Sequence, residues 1–151
     1  MKLDIKMDMS ILDKIKAFES KFPGQIDEAV KATAATTMGN IMKATPVVTG
    51  NLRRKWLIKK VSNMVYEVYN KVKYAPHVEW GTKPHDIEGN PLLRFKTKDG
   101  WRSAKKVHHP GTTGAKMMQN EIPKAQELLK LNVRNKIAEL WKALKSFKRG
   151  Y

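Results

Sequence analysis

The sequence contains no cysteine. Disulfides, thiolate metal sites and a cysteine nucleophile are therefore excluded, and the composition fits a reducing compartment. No apolar run approaches the 18 residues that a membrane-spanning helix needs. The opening MKLDIKMDMS alternates charged and apolar side chains and lacks the apolar stretch of a secretory leader. The expectation is a soluble protein that is not secreted. Serine chemistry is poorly served, since Ser10, Ser20, Ser62, Ser103 and Ser146 all lie outside a G-x-S-x-G turn. Phosphate-binding loops are missing too: TGNLRR has one glycine, and HHPGTTG has no Lys-Ser or Lys-Thr pair after its glycines.

Acidic residues are also scarce. Thirty Lys and Arg stand against 14 Asp and Glu, a net charge of +16. Residues 1–95 hold 16 basic and 10 acidic side chains, while residues 96–151 hold 14 and 4. The excess therefore grows towards the C-terminus. Such a field favours anionic partners: nucleic acid, an acidic protein surface or anionic lipid. At 151 residues and 41% hydrophobic content, the chain fits one domain spanning 1–151.

Ser10 to Phe22 reads as a short helix, capped by Ser10, with Ile11, Leu12, Ile15 and Phe18 as its apolar stripe. Pro23 and Gly24 predict its end, giving an N-terminal segment 1–23. A second helix is expected from about Gln25 to Ala44, closed by Thr45 and Pro46. The period then shifts towards two. Strands are expected at Trp56–Val61, Met64–Val72, Leu92–Lys96 and Trp101–Val107, with an Asp-Gly hairpin signal at Asp99–Gly100. YAPHVEWGT reads as a rigid connector and KPHDIEGN as an exposed loop. The core is expected over 24–114, and a basic amphipathic helix within 115–151. Ile122, Ala125, Leu129, Val133, Ile137, Leu140, Leu144 and Phe147 recur at steps of three or four. That helix would be roughly 39 Å long. It exceeds the expected diameter of the domain, so part of its stripe is expected to lack a partner within the chain. The fold class is α+β: a small antiparallel sheet of about four strands, two N-terminal helices and a long C-terminal helix.

Metal and acid–base chemistry find little support. His77, His85, His108 and His109, with Glu79 and Asp86, offer ligand types, but none of the histidines has the i, i+4 spacing of an H-E-x-x-H site. His77-Val78-Glu79 matches the H-x-E of zinc deaminases without the cysteines those sites require. No catalytic residue, cofactor or metal site is assigned, and the expectation is a protein that is not an enzyme. Nucleic-acid binding is the alternative. RRKWLIKK and FKTKDGWRSAKK interleave basic and aromatic residues, with Arg53, Arg54, Lys55, Lys59, Lys60, Arg102, Lys105 and Lys106 as candidate basic contacts. In that reading Trp56 or Trp101 would stack on bases; the competing reading makes both strand core residues.

Three segments in order, ATPVVTGNLRRKW, YAPHVEWGT and HHPGTTG, resemble the tail-completion and neck (head–tail joining) family of tailed bacteriophages. The likeness covers roughly residues 25–122. Thr49, Gly50, Leu52 and Arg53 match a TG-x-L-R element. Tyr74, Ala75, Val78, Glu79, Trp80, Gly81 and Thr82 match a Y-A-x-x-V-E-aromatic-G-T element, and His109, Pro110, Gly111 and Thr112 match HPGT. After HPGT the family often continues with Pro-Phe, where this chain has Met117 and Met118. The resemblance implies a structural virion protein that completes the tail or joins it to the head within an oligomeric ring. Its implied partners are copies of itself, other neck, connector or tail proteins, and packaged DNA. Its implied location is the virion, reached through the host cytoplasm. The candidate subunit interface is the stripe Leu129, Val133, Ile137, Leu140, Leu144 and Phe147.

Overall fold

Where two helices separated by Pro23 are expected, one continuous helix α1 runs from Met9 to Ala44. The computed structural model describes residues 9–146. Proline removes one backbone donor and costs a helix interior about 3 kcal/mol. That local penalty is outweighed by tertiary packing, which supplies most helical stability in proteins. The C-terminal helix α4, Ile122–Ser146, lies along α1. Asn132 donates to Thr33 Oγ1 at 2.9 Å, and Lys136 Nζ stands 3.8 Å from Glu28, so the two helices run antiparallel. The side chains of Ile11, Leu12, Ile15 and Phe18, and residue Phe147, lie outside the described structure.

Helix α1 stops where the sequence indicates. Thr45 Oγ1 donates back to Ile41 O at 2.7 Å, and Pro46 follows. A one-turn helix α2, Asn51–Arg54, leads into strand β1, Trp56–Ser62. Strand β2, Val65–Asn70, pairs antiparallel with β1, from Trp56 opposite Asn70 to Ser62 opposite Val65. Their turn falls at Asn63–Met64, with Met64 at φ 59°. The segment read as a connector begins as a short helix, α3, Ala75–Trp80. The two-residue strand β3, Gly81–Thr82, then pairs with β6, Thr112–Thr113.

Between β3 and β6 rises a long hairpin of β4, His85–Thr97, and β5, Gly100–His109. His85–Asn90, expected as loop, thus lies in strand β4, with His85 to Glu88 paired to the end of β5. The register shifts between Glu88 and Leu93, where Gly89 to Leu92 bulge out. The alternation of Asp86–Glu88 against Lys106–His108 was hidden by Gly89 and Pro91, which read as loop residues.

The α+β class holds, but the strands form three separate two-stranded ribbons rather than one four-stranded sheet. Each hairpin satisfies its own ladder, and α3 and β3 stand between them in the chain. Alternation specifies which face a strand buries; it does not specify which outer edge meets which. The core gathers at the C-terminal end of α1. Ile41, Leu52, Trp56, Ala75 and Met117 are buried there, with Met38, Met42, Val68, Val72, Val78 and Met118 packed around them. Among the described residues, no helix is long and apolar enough to cross a membrane.

Asp27 ties the β1–β2 turn to α1. Its carboxylate accepts from Lys60 Nζ at 2.7 Å, the Met64 amide at 2.8 Å and the Tyr66 hydroxyl at 3.0 Å. The Lys60 bond, then the Met64 amide, hold its pKa at about 2, below its ordinary 3.8. A depressed carboxylate stabilises the fold above its unfolded pKa and loses that contribution as pH falls through the folded one. Asp27→Asn should therefore lower the melting temperature at pH 7. The gap from the parent should hold constant down to about pH 5, shrink between about pH 4 and 2, and close below. Calorimetry across that range checks it; a gap independent of pH would disprove the linkage.

Candidate functional site

The TG-x-L-R element caps α1. Gly50 adopts φ 75°, and a Cβ there would stand 2.9 Å from the Arg54 guanidinium. This left-handed turn, open to glycine at little steric cost, starts α2 and drives Leu52 into the core. Arg53 Nη2 donates to Thr45 O at 3.0 Å and Lys43 O at 3.4 Å. A guanidinium on the last carbonyls of a helix satisfies orphan acceptors and complements the helix dipole. Trp56 Nε1 donates to Thr45 Oγ1 at 2.9 Å, extending the cap into β1. Asn70 Nδ2 donates to Leu52 O at 2.9 Å, and its Oδ1 accepts the Val72 amide at 3.0 Å. Thr49 accepts the Asn51 amide at 3.4 Å, and Asn51 Nδ2 reaches the Tyr74 hydroxyl at 3.4 Å.

The second and third elements close on each other. Ala75 enters α3 with its amide on Val72 O at 2.9 Å, and Pro76 occupies the first turn, where its missing donor is harmless. Val78 packs on the core. Glu79 is 4% exposed. Its carboxylate accepts the Met118 amide at 3.0 and 3.2 Å and the Gln119 amide at 2.9 Å. The Glu79 backbone carbonyl accepts the Lys116 amide at 3.0 Å, and Val78 O accepts the Ala115 amide at 2.8 Å. Three glycines permit this approach. A Cβ on Gly81 would overlap Thr112 O, one on Gly111 would overlap Thr82 O, and one on Gly114 would overlap Glu79 O. Thr82 and Thr112 hydroxyls meet at 3.1 Å across the bridge. His109 Nδ1 accepts the Gly111 amide at 3.0 Å, and its ring stacks on His85 at 5.1 Å. Pro110 stands exposed between them.

The structure thus brings all three elements into one brace around Leu52, Ala75 and Met117. The carboxylate of Glu79 faces inward to amides from a turn 39 residues away. Asp86 lies elsewhere, on β4, with His108 Nδ1 at 2.8 Å and Lys106 at 2.9 Å. His108, then Lys106, hold its carboxyl below the ordinary value. Glu79 and Asp86 therefore do not converge as an acid–base pair. Three of the four histidines sit on strands or their ends rather than in loops, with His77 in α3. Among the described residues, no three His, Asp or Glu side chains converge to hold a metal ion.

The candidate basic contacts divide. Arg53 is turned to α1 carbonyls and Lys60 to Asp27. Arg102 pairs with Asp99, and Lys106 with Asp86 and Glu88. Arg54, Lys55, Lys59 and Lys105 are exposed. Trp56, 5% exposed, is core and cannot stack on bases, whereas Trp101 is 63% exposed.

An apolar strip stays open along one side. It begins in a cleft of about 410 Å³ lined by Tyr69, Pro76, Trp80 and Ile122. Through Val68, Met118 and Ile122 it joins a groove between α1 and α4, which reaches Leu129. Leu129, Val133 and Ile137 then line a further open groove on α4. No residue of α4 is buried, and Leu140 and Leu144 are half-buried farther along it. Trp80, the aromatic of the second motif, is 66% exposed and Ile122 54%. Met117, Asn70 and Asp27 were missed as supports. Their partners lie far away in sequence, and only the Met117–Met118 pair left any signal.

Residues 10–81 match the family model described as "Bacteriophage HK97-gp10, putative tail-component", just under half of the chain. The match includes the TG-x-L-R element and most of YAPHVEWGT; the β4–β5 hairpin, HPGT and α4 lie beyond it. It agrees with the tail-protein resemblance read from the sequence. No curated protein and no solved structure matches the chain.

Glu79→Ala should destabilise the fold by roughly 2–3 kcal/mol, because buried amides lose a charged acceptor. Glu79→Gln, keeping one carbonyl acceptor, should lose less. Gly114→Val should not yield folded protein. Urea denaturation checks the series; an unchanged midpoint for Glu79→Ala would remove the brace.

Proposed function

We propose, from the phage tail-component family matched by residues 10–81, that this chain is a non-enzymatic structural protein of a tailed-phage virion. In this reading it completes the tail or joins it to the head as one member of an oligomeric ring. Its partners are neighbouring copies and other neck, connector or tail proteins, met in the host cytoplasm during assembly. The brace supports the reading because it uses the motif residues to hold elements in place rather than to form a reactive cleft.

The observation that carries the proposal is the open apolar strip from Trp80 to Ile137. The chain exposes 12327 Å² for a mass of 17.3 kDa. A compact monomer of that mass exposes about 7,800 Å². Long helices, a free hairpin and an unfilled strip are expensive for an isolated body and ordinary for a part of a larger one. A closed ring requires heterologous contacts, with one patch meeting a different patch on the neighbour. The strip is the first of these patches. It enlarges the stripe read from sequence by adding Trp80, Tyr69 and Ile122.

Ending the chain after Gly114 would not isolate this surface, since that cut removes Met117 from the core. Exposed positions serve better. Trp80→Ser with Ile122→Ser should leave the melting temperature within about 4 °C. Supplied in trans to a phage carrying a nonsense mutation in this gene, the double variant should restore at least tenfold fewer infectious particles than the parent. The unrescued lysate should show separate DNA-filled heads and tails, or tails of abnormal length, by electron microscopy. Normal particles in that lysate would refute the assembly role; full rescue by the double variant would refute the strip as its interface.

A further inference from the structure

The β4–β5 hairpin sorts its charges by face. Residues paired across an antiparallel ladder share a face, and the faces alternate along each strand. On one face lie Phe95 opposite Arg102, Glu88 opposite Lys106 and Asp86 opposite His108. All the ion pairs of the hairpin use cations from this face: Arg102 with Asp99, Lys106 with Asp86 and Glu88, and His108 with Asp86. On the other face lie Arg94 opposite Ser103, Lys96 opposite Trp101, and Lys105 two residues beyond Ser103. Those three cations are exposed, and none has an ion-pair partner among the described residues. Trp101 stands among them, with the Arg94 guanidinium 5.2 Å from its ring centroid.

We propose that this second face binds the phosphate backbone of duplex DNA. A solvated face would carry mixed charge, as the first one does. Here the acids are segregated away, leaving an unneutralised cationic row beside an exposed indole. Protein interfaces are depleted in lysine, whereas phosphate contacts draw on Lys and Arg alike. Arg94 and Lys96 are about 6.8 Å apart along the strand, the axial rise of roughly two phosphates of one DNA strand. Trp101 presents the Arg94 guanidinium through a cation–π contact. The ribbon packs chiefly on itself, so this face is not occupied by its own chain. The inference stands apart from the assembly reading, because the purified chain alone tests it.

Fluorescence anisotropy with a labelled 20-base-pair duplex, titrated between 50 and 200 mM salt, provides the test. Two double variants remove equal charge: Lys96→Ser with Lys105→Ser from the cationic face, and Arg102→Ser with Lys106→Ser from the paired face. The first should reduce the slope of log K against log salt by about 1.8, at roughly 0.9 per phosphate contact, and weaken binding about tenfold at 100 mM. The second should leave the slope within about 0.5 of the parent. Lys96→Arg with Lys105→Arg should bind as the parent does, separating charge from folding. Equal losses in the two Ser variants, loss in the Arg variant, or no salt-sensitive binding by the parent would each overturn the assignment.

Discussion

The rest of the structure depends on one buried carboxylate. Glu79 sits at the end of α3 and accepts the amides of Met118 and Gln119, where the chain turns before α4. A carboxylate so enclosed is tolerable only when its lone pairs are filled by donors, and backbone amides at a turn fill them without a counter-charge. That contact fixes where α4 departs and places Met117, 1% exposed, against Ile41, Leu52 and Trp56. The glycines at 81, 111 and 114 make it geometrically possible by letting two backbones approach more closely than any Cβ would allow.

A second constraint works at the other side of the core. Helix α1 ends with carbonyls that need donors, and Arg53 and Trp56 come back from beyond Gly50 to serve them, one directly and one through Thr45. The same few residues stop a long helix, start a ribbon and bury Leu52. The TG-x-L-R and Y-A-x-x-V-E elements are therefore one device seen in two places. They stabilise a small rigid centre from which α1, α4 and the β4–β5 hairpin extend.

That division has a functional meaning. The centre consumes most of the motif residues in internal bonds. The extensions carry the features left unsatisfied: an apolar strip along α3 and α4, and a cationic ribbon face. A small core with large open surfaces suits a protein whose neighbours complete its burial. The tail-component match covers α1, the β1–β2 ribbon and α3, and stops before the β4–β5 hairpin, HPGT and α4.

Much of this was legible in the residues. Local patterns specify local elements: Thr45-Pro46 stops α1, the alternation after Trp56 makes a hairpin, the Asp99-Gly100 signal marks another whose turn falls one residue earlier, at Lys98–Asp99, and steps of three and four mark α4. The charge excess and the three motif segments were equally plain. Tertiary structure alone decided the rest. It carried α1 through Pro23, because α4 packs along α1 and outweighs one missing donor. It kept the strands as three ribbons, because alternation names a face and not a partner edge. It turned Arg53 onto the end of α1 and paired Lys60 with Asp27, and it left Trp80 and Trp101 outside, because charge and apolarity in a sequence carry no direction until distant segments meet. Glu79 shows this most clearly: its amide partners lie 39 and 40 residues away, a distance over which only the folded chain brings donor and acceptor together.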